Sequence, residues 1–242
     1  AFSSYAFNKA HAAAYVFIAY RTAYLKCHYP QAFMAALMTS VLDYAPKIAA
    51  YSAECARLGI KVLPPHVNYS ATGFVPEGED IRFGLLAVKN LGVGLLERLI
   101  AERKAGGKYA SFYDFCDRMF GRELNRRALE SLIKAGCLDG LDANRNQMLE
   151  GIPTLLAELE SRHRSRASGQ LGLFDLEGEA EPPSLLERLE MEKETVGMYL
   201  SGHPMEKVPP IPKKQGGVRT IDVAGELANV SDNQRVSLCA MV

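Results

Sequence analysis

The sequence Leu91-Gly92-Val93-Gly94 separates two segments with helical periodicity, Leu85–Lys89 and Leu95–Arg103. Because glycine has no side chain, hydrophobic residues alternating with glycines predict two helices packed closely across a hairpin turn. Such a turn also exposes backbone N–H groups at the start of the second helix, where partial positive charge favours a phosphate oxygen. We therefore predict a helix-hairpin-helix element that holds DNA by its phosphates without reading bases, through Gly92, Val93 and Gly94.

Basic residues follow the turn and predict additional, salt-dependent attraction to phosphates. They are Arg98 and Lys104, together with Arg103 and Lys108. The alternative is an ordinary turn between two helices with glycine caps, since short motifs often match by chance. A weaker second candidate covers residues 132–141 after Arg126-Arg127, and it is equally compatible with a simple helix stop.

The composition indicates a globular protein with real hydrophobic cores. Of the 242 residues, 48% are hydrophobic and 23% are charged, and the formal net charge is zero. No apolar run approaches the roughly 18–20 residues that span a bilayer, so we predict no membrane association. The five cysteines are scattered without a CxxC pair, which argues against disulfides and zinc and favours a reduced, cytoplasmic compartment.

Periodicity and turn residues predict a mainly α fold with a small β-hairpin. Residues 151–184 lose periodicity and gain Ser, Gly, Arg, Glu and Pro, so we predict a linker there. Helices are predicted over 8–40 (with a new helix starting at Pro30), 46–58, parts of 84–141, and 184–199; strands are predicted over 60–63, 73–75, 81–84 and 236–242.

The predicted linker contains Gln170-Leu171-Gly172-Leu173-Phe174, between the basic run 162–166 and the acidic residues 175–177. Adjacent large apolar residues are unusual in a polar, flexible segment. Gln170 for oriented hydrogen bonds, with Leu173 and Phe174 to fill an apolar pocket, predicts a docking peptide. The alternative is that Leu173 and Phe174 fold back onto the domain.

Several motifs, in a fixed order over nearly the whole chain, resemble the C-family replicative polymerases, the bacterial DNA polymerase III alpha subunits. Together they are far more specific than any one of them. They are Phe7-Asn8-Lys9-Ala10-His11-Ala12-Ala13-Ala14-Tyr15, Ala19-Tyr20-Arg21-Thr22-Ala23-Tyr24-Leu25-Lys26, His28-Tyr29-Pro30, Phe33-Met34-Ala35-Ala36, Leu63-Pro64-Pro65, Val67-Asn68, Ile81-Arg82-Phe83-Gly84-Leu85, Asn125-Arg126-Arg127 and Tyr199-Leu200-Ser201-Gly202-His203-Pro204.

The resemblance implies a domain order. Residues 1–78 would be the C-terminal part of the polymerase fingers, and 79–150 the helix-hairpin-helix region. Residues 151–183 would be a linker with a clamp-binding pentapeptide at Gln170–Phe174. A helix and Pro-rich connector would occupy 184–230, and 231–242 would be the first strand of a truncated oligonucleotide-binding barrel.

The resemblance also implies a function in chromosome replication: DNA-directed DNA synthesis by a nucleotidyltransferase, with duplex DNA, the sliding clamp and other replicase subunits of the holoenzyme as partners. The palm acids that bind two magnesium ions would lie upstream of Ala1, so we expect no cofactor and no activity in this chain alone. The sequence starts without Met, in what is predicted to be the middle of a helix, and this likewise predicts a piece of a longer protein. The implied nucleotide- or template-facing residues are Lys9, His11, Tyr15, Arg21 and Lys26.

Other interpretations remain open at this point. Lys9 and Tyr15 are predicted to share a helical face suited to charge contact and stacking, but Tyr15 in a core with a solvated Lys9 is the alternative. The chain departs from the family at Ala10, where serine is usual, and at Asn90, where glycine is usual. The rival functions are a stand-alone DNA-binding adaptor to the clamp and a non-binding helical domain.

Overall fold

The computed structural model describes residues 9–121, 124–141, 143–164, 180–202, 204, 214–215, 218–221 and 236–238. Within these residues most of the chain is helical, which confirms the predicted mainly α fold. None of the described helices is both long and apolar enough to cross a membrane. The α-helices are α1 (Lys9–His28), α2 (Pro30–Thr39), α3 (Ala45–Arg57), α4 (Val93–Gly106), α5 (Phe112–Met119), α6 (Arg126–Lys134), α7 (Arg145–Arg164) and α8 (Leu185–Val196).

The helix starts follow from local sequence. Pro30 occupies the first turn of α2, where its missing N–H costs nothing, and so it divides the predicted 8–40 segment into two helices. The side chain of Asn125 accepts a hydrogen bond from the backbone N–H of Ala128 and caps α6. Ser184 and Glu187 form a reciprocal capping box at α8.

A small three-stranded sheet joins the first three helices to the hairpin region. Its strands are β1 (Val62–Leu63), β2 (Val75–Glu77) and β3 (Asp80–Arg82), in the order β1-β3-β2. β2 and β3 pair antiparallel around a two-residue turn in which Gly78 has φ 64°, as such turns require. β1 adds to β3 in parallel, with Val62 opposite Ile81. A short 3-10 helix (Leu85–Ala87) then leads into the hairpin turn.

One hydrophobic core runs from α2 through the sheet to α7. Its largest side chains include Tyr109, Phe83, Phe112, Phe115, Met34 and Met38. The chain divides into two compact units, Ala1–Ser201 and Gly202–Val242, so the predicted boundaries at 78/79 and 150/151 fall inside the first unit. Those boundaries stay predictions.

Helix α7 corrects the prediction that the chain loses regular structure at residue 151. It continues to Arg164 and buries Ile152, Leu155 and Leu159 at helical spacing. Pro153 lies inside the helix on its exposed side. Gly151 and Pro153 are helix-breaking residues by propensity, so they masked the periodicity in the sequence, and packing of the apolar face outweighs them.

The second unit contains a three-stranded sheet formed by β4 (Lys214–Gln215), β5 (Val218–Ile221) and β6 (Val236–Leu238). β4 and β5 pair antiparallel, and β5 and β6 pair parallel, with Thr220 opposite Ser237. The strand predicted near Val236 is confirmed. It is not the first strand of its sheet, however, because two strands precede it in the segment predicted as a Pro-rich connector.

Candidate nucleic-acid interface

The hairpin turn is shaped by Asn90, which has a left-handed backbone with φ 64°. Asparagine is among the few non-glycine residues that adopt this conformation readily. The Asn90 side-chain amide donates a hydrogen bond of 2.9 Å to the Ser131 hydroxyl on α6. Leu91 is buried beneath the turn, while Gly92, Val93 and Gly94 are exposed.

The start of α4 offers backbone N–H groups to an external acceptor. Gly92 is the N-cap residue, and no side chain caps this helix end. The first turn contains no acidic residue either. The first N–H groups of an α-helix have no acceptor within the helix, and the helix dipole gives them partial positive charge. This end of α4 can therefore bind an anion such as a phosphate.

Neither Gly92 nor Gly94 is required by the packing of the hairpin. A Cβ atom built at either position meets no atom within 4 Å, and neither residue has a positive φ. The expectation that these glycines allow two helices to pack closely was therefore wrong. At the N-cap position of Gly92 glycine is preferred over alanine, but inside the first turn, at Gly94, glycine costs stability relative to alanine, by up to about 1 kcal/mol. The fold itself gives no reason for that cost, whereas close approach of an external ligand does.

The C-terminal end of α8 holds the entry to the hairpin turn through two hydrogen bonds from Lys89. The backbone N–H of Lys89 donates to the Thr195 carbonyl at 2.9 Å, and its Nζ donates to the Glu194 carbonyl at 2.7 Å. The Lys89 ammonium thus lies at a helix C-terminus, which favours positive charge. The side chain of Lys89 is exposed, and its hydrogen bond to α8 holds the entry to the turn in place.

The basic residues predicted after the turn have different environments. Arg98 is half-buried, and its guanidinium donates to the Phe120 carbonyl at 2.9 Å, at the end of α5. Arg103 donates to the carbonyls of Val67 and Ser70. Lys104 is exposed. The structure thus brings Gly92, Val93 and Gly94 together at the surface, places Lys104 farther along α4, and directs Arg98 towards α5.

The second candidate turn, between α6 and α7, is closed by its own side chains. The Asn144 side-chain oxygen accepts from the backbone N–H groups of Asn146 and Gln147, so the start of α7 already has a cap. Gly136 has φ 75° and lies against the Arg145 guanidinium, so the fold itself favours a glycine at this position. In its described residues this turn therefore lacks the uncapped helix start and the glycine without an internal explanation that distinguish α4.

Helix α1 is exposed along most of its length. Tyr15 and Arg21 are exposed, and the rings of His11 and Tyr15 lie 4.5 Å apart. Lys26 forms an ion pair of 2.7 Å with Glu54 on α3. The side chain of Lys9 lies outside the described residues, so the prediction that it shares a helical face with Tyr15 stays a prediction.

The predicted clamp-binding peptide, Gln170–Phe174, lies outside the described residues. The described chain resumes at Ala180 and is fastened to the start of α7. The Asn144 amide donates to the Ala180 carbonyl at 3.0 Å, and the Asn146 amide donates to the Glu181 carbonyl at 2.9 Å.

A basic and aromatic cluster next to α4 was missed in the sequence as a unit. Lys108 lies over the ring of the exposed Tyr69, with its Nζ 4.4 Å from the ring centroid. Each residue is unremarkable alone, and 39 positions separate them, so only the fold brings them together.

Comparisons with known proteins agree with this geometry. A sequence profile described as the helix-hairpin-helix motif matches residues 59–148. DNA polymerase III subunit alpha of Thermus aquaticus is 45% identical over 218 residues, that of Deinococcus radiodurans 42% over 219, and that of Xylella fastidiosa 40% over 220. The matches cover 85–86% of this chain but only 16–18% of those proteins. Over these residues the chain is similar to one segment of the DNA polymerase III alpha subunit.

Proposed function

We propose that this chain is a non-catalytic part of a replicative DNA polymerase that holds duplex DNA by its phosphates through the start of α4. The observation that carries the proposal is the exposed Gly94 in the first turn of a helix whose start has no side-chain cap. The helix-weakening effect of Gly94 has no compensation within the fold. A phosphate that approaches the backbone N–H groups of Val93 and Gly94 supplies one.

The substitution Gly94→Ala separates DNA contact from folding. It introduces a methyl group where nothing lies within 4 Å, in the first turn of a helix. The fold should gain up to about 1 kcal/mol, because alanine has the higher helix propensity. The same methyl group should block close approach of a phosphate and lower duplex affinity several-fold, as measured by fluorescence anisotropy at low salt.

Gly94→Ala should therefore move stability and affinity in opposite directions. A matched control is Ala105→Gly, which changes the same two residue types near the far end of α4, at another exposed position. It should lower stability and leave the hairpin contact intact. Duplex affinity that is unaffected by Gly94→Ala would refute the proposed contact.

We infer that nucleotidyl transfer is performed by the longer polymerase and not by these residues. Among the residues that the structure describes, no group of three His, Cys, Asp or Glu side chains is placed to hold a metal ion. We assign no chemical step to the described residues. Incorporation of nucleotides into a primer–template by the purified 242-residue chain would contradict this inference.

We also propose that α1 faces the template or the incoming nucleotide in the longer polymerase. Its exposed Arg21 and the His11–Tyr15 ring pair support this role, whereas the charge of Lys26 is balanced by Glu54. In the full polymerase, Arg21→Ala should raise KM for nucleotide or weaken primer–template binding. Lys26→Ala is the matched control, and an equal effect of both substitutions would argue against the proposal.

We further propose that Gln170–Phe174 tethers the chain to a sliding clamp. The support is its sequence type and the fixed point that follows it, where Asn144 and Asn146 hold Ala180 and Glu181. Replacing Leu173 and Phe174 by Ala should abolish clamp binding in calorimetry. Leu186→Ala, at an exposed leucine on α8, is the control. If the double substitution leaves the clamp affinity unchanged, Gln170–Phe174 is excluded as the clamp-binding site.

A further inference from the structure

Tyr69 holds the ammonium group of Lys108 at the protein surface. The Lys108 Nζ lies 4.4 Å from the Tyr69 ring centroid and 3.3 Å from its hydroxyl oxygen. Arg82 lies on the same ring at 5.5 Å, but its charge is balanced by a bidentate pair with Glu77. Tyr69 is 48% exposed, so the cation that it orients remains accessible.

The two loops that carry Tyr69 and Lys108 are locked together. The Asn68 side-chain amide donates to the Tyr109 carbonyl at 2.9 Å, and its oxygen accepts from the Tyr109 N–H at 2.8 Å. Tyr109 is buried, and its hydroxyl donates to the Leu99 carbonyl on α4. The Tyr69–Lys108 pair is thus fixed relative to α4, and little side-chain entropy is lost when it binds a ligand.

The charge of this surface is not neutralised within the protein. In the described part of the chain, neither Lys104 nor Lys108 has a carboxylate partner within ion-pair distance. The nearest acids along the sequence, Glu102 and Asp114, are both paired with Arg118. The end of α4 and the residues just after it therefore present two ammonium groups without a carboxylate partner.

Lys104 lies on the same side of α4 as the hairpin contact. Eleven residues separate it from Val93, which places the two about 20° apart around the helix axis and about 17 Å apart along it. Both are exposed, with Glu97 between them on this face. Because each strand of B-DNA carries one phosphate per roughly 3.4 Å of axis, this separation corresponds to about five phosphates. Because Glu97 repels phosphates, two separate phosphate contacts are more favourable than one continuous contact along α4.

We propose that Lys104 and Lys108 form a second phosphate contact to the same duplex, with Tyr69 as the residue that positions Lys108. This inference rests on the proposed function, because it extends the footprint of the hairpin along α4. The ligand is the sugar–phosphate backbone of double-stranded DNA, bound without regard to sequence. The hairpin N–H groups and the two lysines then hold the duplex at both ends of one helix.

The test uses the 242-residue chain and a labelled duplex of about 20 base pairs, titrated at several salt concentrations. Lys108→Ala should weaken binding about 3- to 10-fold and reduce the slope of log K against log salt by about 0.9, the effect of one lost phosphate contact. Lys47→Ala is the matched control, because the Nζ of Lys47 also lies over a tyrosine ring, 5.9 Å from the centroid of Tyr44 at the start of α3. It should leave both quantities unchanged.

Variants of Tyr69 test whether its ring positions the ammonium group of Lys108. Tyr69→Phe keeps the ring and should bind within about twofold of the unmodified chain, whereas Tyr69→Ala should match Lys108→Ala in affinity and slope. The double variant Tyr69→Ala/Lys108→Ala should bind the duplex no more weakly than either single variant, because both substitutions remove the same contact. Urea unfolding of each variant shows whether the fold is retained.

The outcomes distinguish the second phosphate contact from the hairpin contact. If Gly94→Ala weakens binding while Lys108→Ala and Lys104→Ala bind as the unmodified chain does, the second contact is refuted and the hairpin proposal stands. If the unmodified chain shows no salt-dependent duplex binding, both are refuted. A Lys47→Ala effect as large as that of Lys108→Ala would also overturn the inference, since the loss would then reflect general charge.

Discussion

The carboxylate of Glu192 lies 3.1 Å from the guanidinium of Arg145, and the two side chains are only 1% and 4% exposed. Arg145 also pairs with Asp139, and Glu192 accepts hydrogen bonds from the backbone N–H groups of Leu200 and Ser201. Burial would lower the pKa of Arg145, but its bonds to Asp139 and Glu192 outweigh burial and raise it. The pair thus fastens α8 and the segment after it to the start of α7.

Glu192→Ala should destabilise the first unit by about 3 kcal/mol, because it leaves a buried guanidinium short of one partner and two backbone N–H groups without an acceptor. Chemical denaturation measures the loss. Glu194→Ala is the matched control, since it removes the exposed ion pair with Lys134 and should cost less than about 1 kcal/mol. Equal losses for the two variants would contradict the assignment of Glu192 as a buried anchor.

Asn90 combines a left-handed backbone with a hydrogen bond to Ser131, and two substitutions separate these effects. Asn90→Gly removes the hydrogen bond but suits the backbone, and should cost about 1 kcal/mol. Asn90→Ala also adds backbone strain and should cost about 1 kcal/mol more. The difference in urea midpoints tests this order. If alanine is tolerated as well as glycine, the left-handed conformation does not constrain the turn.

Features that depend on local sequence were predictable. Pro30 begins a helix and Gly78 fits a two-residue hairpin turn. Both follow from local chemistry, because proline restricts the allowed backbone conformations and glycine widens them wherever they occur. The hairpin turn at Leu91–Gly94 was located for the same reason. Its glycines, however, were explained by helix packing, whereas the structure leaves open space around them.

Features that depend on tertiary contacts were not predictable. Arg98 looked like a free cation, but it bonds to the Phe120 carbonyl, 22 positions away. Likewise the Tyr69–Lys108 pair exists only because Asn68 joins two distant loops. Such long-range pairs leave no periodic signal in one sequence. Helix α7 was missed because its stability comes from buried leucines and not from the propensity of its residues.

Pro153 should weaken α7, because it lies in the ninth position of the helix, where it cannot donate a hydrogen bond to the preceding turn. Its side chain is exposed, so its removal loses little packing. Pro153→Ala should therefore stabilise the first unit by about 1–3 kcal/mol in thermal or urea unfolding. Thr154→Ala, at the next exposed position, should change stability by less than about 0.5 kcal/mol. Destabilisation by Pro153→Ala would mean that α7 is not a continuous helix.

The half-buried ring of His66 makes the stability of the first unit depend on pH. Its Nδ1 accepts a hydrogen bond of 2.9 Å from the Asn68 N–H and must be unprotonated to do so. Burial lowers the pKa of His66, and the charges of Arg82 and Arg103 lower it further, against an opposing effect of Asp139. The unfolded chain, with a histidine pKa of about 6.5, therefore binds this proton more readily than the folded protein does.

Stability linked to His66 should be complete above about pH 6.5 and should be lost as the pH falls from there towards the lower pKa of the folded state. His66→Asn, which keeps an acceptor near the Nδ1 position but does not titrate, should lose less stability than the unmodified chain between pH 7.5 and pH 5.5. Urea unfolding at several pH values measures the two profiles. Since every other titrating group is shared by the two proteins, the difference between the profiles isolates His66, and parallel profiles would show that its protonation is not linked to folding.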